Sequence, residues 1–452
     1  MQRITTTGNA TIIAYDGKPV LTTDPWIGDE EPAYFGSWVL SHRIPAELKK
    51  DMLASQYVWF SHGHPDHLNP DGIQRFKSSK ILLPDHVNGR ILRDLEPHGY
   101  KVTILPDRKW VSLSDNIRIQ CITTIIQDAI LLIDICGKLF INLNDAGTRL
   151  CTRYIRSIAK GYKYSFLLAL AGYGDADMIN FFDEGGNFIV PPAAAKEPVG
   201  RALSEIAQSI GAKTVIPFSS FHQYQRADSI WAQAYTTPLE AYAEGMSADL
   251  GYIAPFSSID CRDLAVERTG AVELLRTVKP PEAFGDNWSD ELEAADRKAI
   301  EDYFVRKDRI RKNFGFLTFR VGGRDFTVGL GGPRDRGISF AVPRHSLMSA
   351  VDYRIFDDLL IGNFMKTTLH GLSSLYAEHG NFNFTVAKYG DNGMVETEGD
   401  LRRYAQTYQK RGGADHLIES FRDRSRDFLT RFASKDSRIF RLSKSLYESY
   451  LR

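Results

Sequence analysis

The sequence predicts an α/β protein with more than one domain. Strand-like and helix-like segments alternate between residues 46 and 105, which is the pattern of a layered α/β core. Residues 110–145 then form a run of consecutive strand-like segments, so antiparallel hairpins are expected in the same domain. The chain has 452 residues, and a prior of about 150 residues per domain predicts two or three units.

The N-terminal elements follow from turn and strand signals. Residues 10–24 are predicted to form a hairpin around the turn dipeptide Asp16-Gly17, and the segment from Trp26 to Pro45, rich in aromatics, Gly and Pro, a long loop. A helix over 46–55 leads into a strand over 57–60. The later predicted elements are helices after Asn69 and over 85–95, and strands over 80–84, 100–105, 129–135, 138–144, 165–171 and 213–218.

The amino-acid composition changes past residue 257, where charged and proline-containing segments precede a predicted helix over 289–311. The elements expected beyond it are a hairpin over 316–330, a strand over 338–342, a helix from 344 and an amphipathic helical tail from about 400. We therefore predict three parts: a metal-binding domain over 1–256, a charged helical connector over 257–312, and a smaller C-terminal α+β domain with a helical tail over 313–452.

Composition limits the classes of partner. The 56 basic and 56 acidic side chains give a formal net charge of zero, which argues against nucleic acid or an anionic membrane as the partner. The four cysteines lack CxxC spacing, and reduced thiols are expected. With no signal peptide and no window of about eighteen apolar residues, the prediction is a cytoplasmic protein. A small-molecule substrate is expected, and the sequence is compatible with a homo-oligomer.

A metal site is predicted where the strand over 57–60 ends. His62, His64, Asp66 and His67 follow that strand within a few residues, and imidazole nitrogens with a carboxylate suit Zn(II), Fe(II) or Mn(II). A polar turn with chance histidines is the alternative. Four titrating groups packed this densely would repel one another unless a dication neutralised them. We predict one or two divalent ions, zinc first, with iron or manganese as alternatives.

The run Ser-His-Gly-His-Pro-Asp-His over 61–67 resembles the His-x-His-x-Asp-His signature of the metallo-β-lactamase fold superfamily. The resemblance implies a four-layered αββα sandwich. It also implies that His62 and His64 serve one metal, and that Asp66 and His67 serve a second.

The same resemblance implies further ligands from later loops. Asp145, after the strand over 138–144, matches the bridging aspartate of the family, and His222, after a late strand, matches its last histidine. Taken alone, each residue is as well explained by a turn or a structural role. The third histidine of the first metal has no match over 121–134. The alternatives are an open position or a substitute: Asp128, Gln127, His86 or His42.

A second, looser resemblance covers residues 10–230. The segments Thr-Asp-Pro-Trp over 23–26, Phe-Gly-Ser-Trp over 35–38 and 140–145 resemble the β-lactamase-like core of the CMP-N-acetylneuraminate hydroxylase group and related ascorbate-phosphate lactonase-like proteins. The hydroxylases carry an N-terminal Rieske cluster, and its Cys and His ligands are absent before the opening hairpin. No fused Rieske centre is therefore expected. The segment 359–364 resembles sterol-carrier-like domains, with a stabilising or dimerising appendage as the alternative.

These observations predict a metal-dependent hydrolase in which metal-bound water attacks an ester, lactone, thioester, amide or phosphoester. Asp66 is the predicted catalytic residue. The predicted substrate-loop residues are Trp26, Trp38, His42 and Tyr173. The missing histidine favours a non-haem iron oxygenase with a separate electron donor as the first alternative, and a non-catalytic metal-containing binding protein is the second.

Overall fold

The computed structural model describes residues 2–28, 31–170, 178–191, 194, 198–375 and 381–418. The strands within these ranges are β1 (Gln2–Thr7), β2 (Thr11–Asp16), β3 (Lys18–Thr23), β4 (Trp38–Leu40), β5 (His42–Arg43), β6 (Tyr57–Trp59), β7 (Lys80–Pro84), β8 (Lys101–Leu105), β9 (Trp110–Ser112), β10 (Ile117–Thr123), β11 (Ala129–Ile135), β12 (Lys138–Asn144), β13 (Tyr164–Ala169), β14 (Phe181–Phe182), β15 (Thr214–Pro217), β16 (His222–Tyr224), β17 (Gly251–Tyr252), β18 (Ser257–Asp260), β19 (Val266–Arg268), β20 (Val272–Glu273), β21 (Phe316–Val321), β22 (Arg324–Gly329), β23 (Gly337–Ala341) and β24 (Lys366–His370). The α-helices are α1 (Ala46–Ala54), α2 (Arg90–Leu95), α3 (Thr152–Ala159), α4 (Val199–Ile210), α5 (Ala294–Val305), α6 (Asp308–Asn313), α7 (Arg344–Tyr353), α8 (Phe356–Ile361) and α9 (Glu398–Gly412).

Two mixed sheets form the N-terminal part. The eight-stranded sheet has the order β19-β18-β1-β2-β3-β6-β7-β8, and the seven-stranded sheet has the order β17-β15-β13-β12-β11-β10-β9. The strands β3, β6, β7 and β8 run parallel, as do β12, β13, β15 and β17. The remaining neighbours are antiparallel, mostly hairpins, and β1 pairs with β18 from much later in the chain. Both predicted kinds of connection therefore occur in one structure.

The packing defines four layers. One apolar cluster lies between the sheets and takes Trp59 from the first sheet and Phe140 from the second. The outer face of the first sheet packs with α1 through Met52. The outer face of the second sheet packs with α3 and α4 through Ile155 and Leu203. This arrangement confirms the predicted α/β class and the αββα sandwich.

Strand β6 is buried on both faces, which explains its continuous apolar sequence. Trp59 packs between the sheets, whereas Val58 and Phe60 pack in the outer cluster. The parallel neighbours β3 and β7 flank it on either side. A rigid, central strand therefore delivers the histidine-rich loop to one edge of the sandwich.

The C-terminal unit, α5 to α9 with β21 to β24, has a separate core. Its five-stranded sheet has the order β14-β24-β23-β21-β22, and the helices pack on it through Phe304, Phe340, Phe356 and Phe382. Strand β14 joins this sheet from earlier in the chain, and β18 and β19 join the first sandwich sheet from the segment predicted as a connector. The predicted boundaries at 256 and 312 stay predictions.

Several predicted helices are shorter in the structure. The helix expected over 85–95 begins only at Arg90, because Asn88 and Gly89 adopt left-handed backbone with φ of 69° and 57°. The Asn69 side chain accepts from Asp71 N and Gly72 N, and a 3₁₀ turn follows in place of an α-helix. The helix expected over 289–311 is split into α5 and α6. Among the described residues, no helix is long and apolar enough to cross a membrane.

Candidate metal centre

The loop after β6 brings the first group of donor atoms together. His62 Nε2 lies 2.9 Å from His64 Nδ1 and 4.0 Å from Asp145 Oδ2. These three side chains can each offer one atom to a common ion. Two imidazoles and one carboxylate are a donor set that Zn(II) and Fe(II) both accept.

A second group adjoins the first and shares Asp145 with it. His67 Nε2 lies 3.1 Å from Asp145 Oδ2 and 3.4 Å from Asp66 Oδ2, and the three side chains can hold an ion together. Asp145 thus lies beside the motif and belongs to both groups of donor atoms, while its predicted role as a bridging ligand stays a prediction. A shared carboxylate between neighbouring sites is the arrangement of two-metal centres.

Both aspartates of the second group are held by other side chains. Asn9 Nδ2 donates to Asp66 Oδ2 at 2.8 Å, and Tyr34 Oη donates to Asp66 Oδ1 at 2.5 Å. Ser219 Oγ donates to Asp145 Oδ1 at 2.5 Å. The sequence analysis missed these three supports, since a lone Asn, Tyr or Ser in a loop carries no spacing signal.

A further support holds His67. Asp24 accepts from Ser61 N through Oδ1 at 2.7 Å, and its Oδ2 lies 3.2 Å from His67 Nδ1. A carboxylate on the second ring nitrogen fixes the tautomer and orientation of a metal-binding histidine. Asp24 adopts left-handed backbone with φ of 39°, and backbone strain of this kind concentrates at functional sites.

His222, in β16, tests whether the centre fits a metal. Its ring stacks on Trp38 with centroids 3.4 Å apart, and neither ring nitrogen has a hydrogen-bond partner among the described residues. Burial lowers the pKa of His222 to about 3, although Asp145 opposes the shift. A buried, neutral imidazole without partners is costly, and a metal ion satisfies one nitrogen. The groups whose donor atoms lie close enough to share an ion do not include His222, so the fit to a metal rests on His62, His64, Asp66, His67 and Asp145.

The charges of the cluster favour a cation between the carboxylates. The pKa of His62 lies well below its ordinary value, mainly because the side chain is buried and then because His67 and His64 lie nearby. Burial alone would lower the pKa of His67 too, but Asp145 and Asp66 raise it well above that value. Burial raises the pKa of Asp145, yet His67 and Ser219 bring it down to about 2. Asp145 and Asp66 thus favour positive charge on His67, whereas burial and the neighbouring histidines disfavour it on His62.

The structure places the four predicted substitutes for the missing histidine at different distances from the first group. Gln127 Nε2 is 3.0 Å from Tyr404 Oη and so turns away. His86 Nε2 lies 3.2 Å from Ser61 O, and His42 packs against Phe256 on strand β5. Asp128 remains: it is buried, and its Oδ1 lies 4.0 Å from His62 Nδ1. Of these four candidates, only the carboxylate of Asp128 is shown beside the first group.

A cavity of about 190 Å³ opens beside the two groups. The sandwich contributes Trp38, Asp128 and Asp145 to its wall, and the C-terminal unit contributes Ile361, Phe384 and Lys388. Trp38 was predicted as a substrate-loop residue and lines the cavity.

The other predicted substrate-loop residues are placed elsewhere. Trp26 is fully buried and donates to Glu31 O, and His42 lies on β5. Neither contributes to the cavity wall, which corrects the prediction that they contact substrate. The reason is that the loop between β3 and β4 folds back onto the first sheet, where Trp26 joins the apolar cluster. Tyr173 lies outside the described residues.

The C-terminal unit also reaches the donor atoms. Asp357, on α8, places Oδ2 2.9 Å from His64 Nε2. Lys388 Nζ lies 4.0 Å from Asp357 Oδ2 and 3.8 Å from Asp128 Oδ1. Burial and the adjacent Asp357 raise the pKa of Asp358 well above its ordinary value. Nothing in the sequence analysis connected this segment with the motif.

An αββα sandwich with two His/Asp groups that share one carboxylate at its strand ends defines the class. These are the layered fold and the clustered metal-binding side chains that the resemblance of the motif to the metallo-β-lactamase fold superfamily implies.

Comparison with known proteins gives distant relatives. No protein-family model matches the chain. The cytidine monophosphate-N-acetylneuraminic acid hydroxylase of Danio rerio is 25% identical over 146 residues, which are 30% of this chain and 24% of that protein. The hydroxylase of Asterias rubens is 26% identical over 138 residues, 28% of this chain and 21% of that protein. The chain thus spans less than a quarter of the length of these curated relatives.

Solved structures are similar over more of the chain but at lower identity. Igni18, a metallo hydrolase from Ignicoccus hospitalis, is 14% identical over 57% of this chain and 97% of its own, with a TM-score of 0.36. An isothiocyanate hydrolase from Delia radicum gut bacteria is 16% identical over 57% and 98%, also at 0.36. The diiron β-hydroxylase CmlA from Streptomyces venezuelae is 14% identical over 56% and 48%, at 0.31. At these values the similarities say nothing about activity.

Proposed function

We propose that the chain is a metal-dependent hydrolase that cleaves an ester, lactone, thioester, amide or phosphoester of a small molecule. The observation that carries the proposal is the sharing of Asp145 by two groups of donor atoms, 3.1 Å from His67 and 4.0 Å from His62, beside a cavity. Bound divalent ions would lower the pKa of water toward about 7 and polarise the scissile bond.

The chain's own residues have separate tasks in this proposal. His62, His64 and Asp145 would hold one ion, and Asp66, His67 and Asp145 the second. His222, whose buried ring nitrogens have no hydrogen-bond partner among the described residues, is the proposed additional ligand of the second ion. Asp66 orients the attacking water, and the hydrogen bonds from Asn9 and Tyr34 keep its carboxylate fixed. Zinc is the first expectation for both ions, with iron or manganese as alternatives.

The cavity wall supplies the remaining functions. The apolar faces of Trp38, Ile361 and Phe384 exclude bulk water from the donor atoms, and Lys388 adds a positive charge next to them. A low-dielectric site of this kind strengthens every charge interaction inside it. The absence of a nucleic-acid or membrane partner, and a cytoplasmic location, stay predictions.

A non-haem iron oxygenase is the second candidate. The observation that favours it is the first group, which has two histidines and one carboxylate and, among the described residues, no third histidine. This donor set is typical of Fe(II) enzymes that activate dioxygen. The hydroxylases similar to part of the chain agree with it. Such an enzyme would need a separate electron donor.

Metal analysis of the full chain tests the proposal. We expect anaerobically purified protein to contain close to two equivalents of zinc and to hydrolyse generic esters or lactones. The His64→Ala variant should lose one equivalent, because it removes a donor of the first group. His98→Ala, at an exposed histidine, is the matched control and should keep both. An iron pair that consumes dioxygen would replace the hydrolase with the oxygenase, and protein that binds no metal would exclude both.

A further inference from the structure

The two ring nitrogens of His64 face different parts of the molecule. Nδ1 lies 2.9 Å from His62 Nε2, on the side of the first donor group. Nε2 lies 2.9 Å from Asp357 Oδ2, which comes from α8, 293 residues further along the chain. His64 therefore presents one nitrogen to the sandwich site and the other to the C-terminal unit.

This geometry sets the proton of His64. A carboxylate accepts, so the proton belongs on Nε2 and the lone pair on Nδ1, which is the arrangement an ion in the first group requires. Asp357 is 2% exposed, so the bond is shielded from water. A carboxylate also faces His67: Asp24 Oδ2 lies 3.2 Å from Nδ1, the nitrogen opposite the second group, but outside hydrogen-bond geometry.

Asp357 is itself held in place. Phe356 N, one residue before it, donates to Asp391 Oδ2, and Tyr303 Oη donates to the same oxygen at 2.6 Å. Lys388 Nζ, 4.0 Å from Asp357 Oδ2, balances its charge. The first turn of α8 is thus held by hydrogen bonds within the C-terminal unit.

We propose that Asp357 is a positioning residue for the metal centre, through which the C-terminal unit orients His64 and sets the affinity of the first ion. This inference rests on the metal binding of the proposed function. It assigns the C-terminal unit a direct part in the centre, in place of a stabilising or dimerising appendage.

The test compares Co²⁺ binding to the full chain after metal removal by a chelator. Visible absorption of Co²⁺ reports coordination, and titration gives an affinity for each ion. We expect Asp357→Ala to weaken one ion about 10-fold to 100-fold and to shift its absorption bands, with the other ion unchanged. Asp357→Asn should lose less, because its amide oxygen still accepts from His64 Nε2. Asp352→Asn, at an exposed position of α7, should match the wild type.

The outcomes separate the two proposals. If the wild type binds no Co²⁺, the metal-dependent function fails. If the wild type binds two ions and Asp357→Ala binds both with the same affinities and spectrum, only the positioning role fails. A loss in Asp357→Asn as large as in Asp357→Ala would also overturn it, since the carboxylate would then act as a ligand. Because Asp357→Asn nearly preserves shape, it keeps the test valid if Asp357→Ala does not fold.

Discussion

Each half of the metal centre, the one around His67 and the one around His64, has a carboxylate facing its histidine, but the two carboxylates come from different parts of the chain. On one side, Asp24 at the end of β3 faces His67 at 3.2 Å, and both residues belong to the sandwich. On the other side, Asp357 faces His64 at 2.9 Å from a helix of the C-terminal unit. The first half is complete within one layered core, whereas the second depends on how another part of the chain packs onto it.

The difference shows which part of the metal centre each unit of the chain supplies. The pair of Asp24 and His67 needs only the neighbouring parallel strands β3 and β6, whose ends meet at one sheet edge, and Asp145 joins it from the end of β12 in the second sheet. The His64 half needs α8 to be in place, and the first turn of α8 is held by the hydrogen bond from Phe356 N to Asp391. Changes in the C-terminal unit should therefore act on one ion and leave the other.

The largest effect is expected at the residue the two halves share. Asp145→Ala removes a donor from both groups and leaves His67 without its nearest carboxylate, 3.1 Å away. We expect the purified variant to retain neither ion and to lose activity about 1,000-fold or more. Asp115→Ala, at an exposed aspartate, is the control and should retain both. Two ions in Asp145→Ala would remove the bridging assignment.

The next effect distinguishes the halves by a conservative change. Asp24 uses Oδ1 to accept from Ser61 N at 2.7 Å, so an asparagine there must keep its oxygen on Ser61 and turn its NH₂ toward His67 Nδ1. Two donors would then face each other. We therefore expect Asp24→Asn to weaken the second ion about 10-fold to 100-fold, as much as Asp24→Ala.

Asp357 should behave differently, because its side chain can turn its amide oxygen to His64 when replaced by asparagine. The measurement is the ratio of Co²⁺ affinities between the Asn and Ala variants at each position. The ratio should be near one at Asp24 and well above one at Asp357. Equal ratios would mean that an asparagine is accommodated in the same way at Asp24 and at Asp357, which would contradict the proposed difference between the two halves.

The sequence predicted the candidate ligands where several of them lie close together along the chain. The motif over 61–67 predicted His62, His64, Asp66 and His67, and the resemblance added Asp145, which the structure brings within 3.1 Å of His67. The strands over 129–135 and 138–144 were predicted to the residue, because a two-residue turn at Cys136-Gly137 fixes both ends.

The rest required three-dimensional packing. Asn9, Tyr34 and Asp357 act on the centre through single hydrogen bonds from distant positions, and no periodicity marks such residues. Trp26 and His42 were predicted from their place in a long aromatic loop, but the direction in which a loop folds is decided by the apolar surface it covers. The domain boundaries remain predictions.

The smallest effect concerns the outermost support of the His64 half. Lys307 Nζ lies 3.6 Å from Asp391 Oδ1, behind the first turn of α8. Burial lowers the pKa of Lys307 from 10.5 to about 8, although Asp391 opposes the shift. Between these pH values the unfolded chain binds a proton that the folded chain does not, so this group makes stability rise with pH from about 8 to about 10.5.

Urea unfolding with a chelator present measures the contribution of Lys307 to the free energy of unfolding separately from metal binding. The free energy of unfolding of the wild type, relative to Lys307→Met, should rise between pH 8 and 10 by at most about 1.4 kcal/mol per pH unit for one proton. Lys298→Met, at an exposed lysine of α5, should keep the rise. Parallel curves for the wild type and Lys307→Met would show that Lys307 titrates normally. The anchor of α8 would then be set by Tyr303 and Asp391 without a contribution from the titration of Lys307.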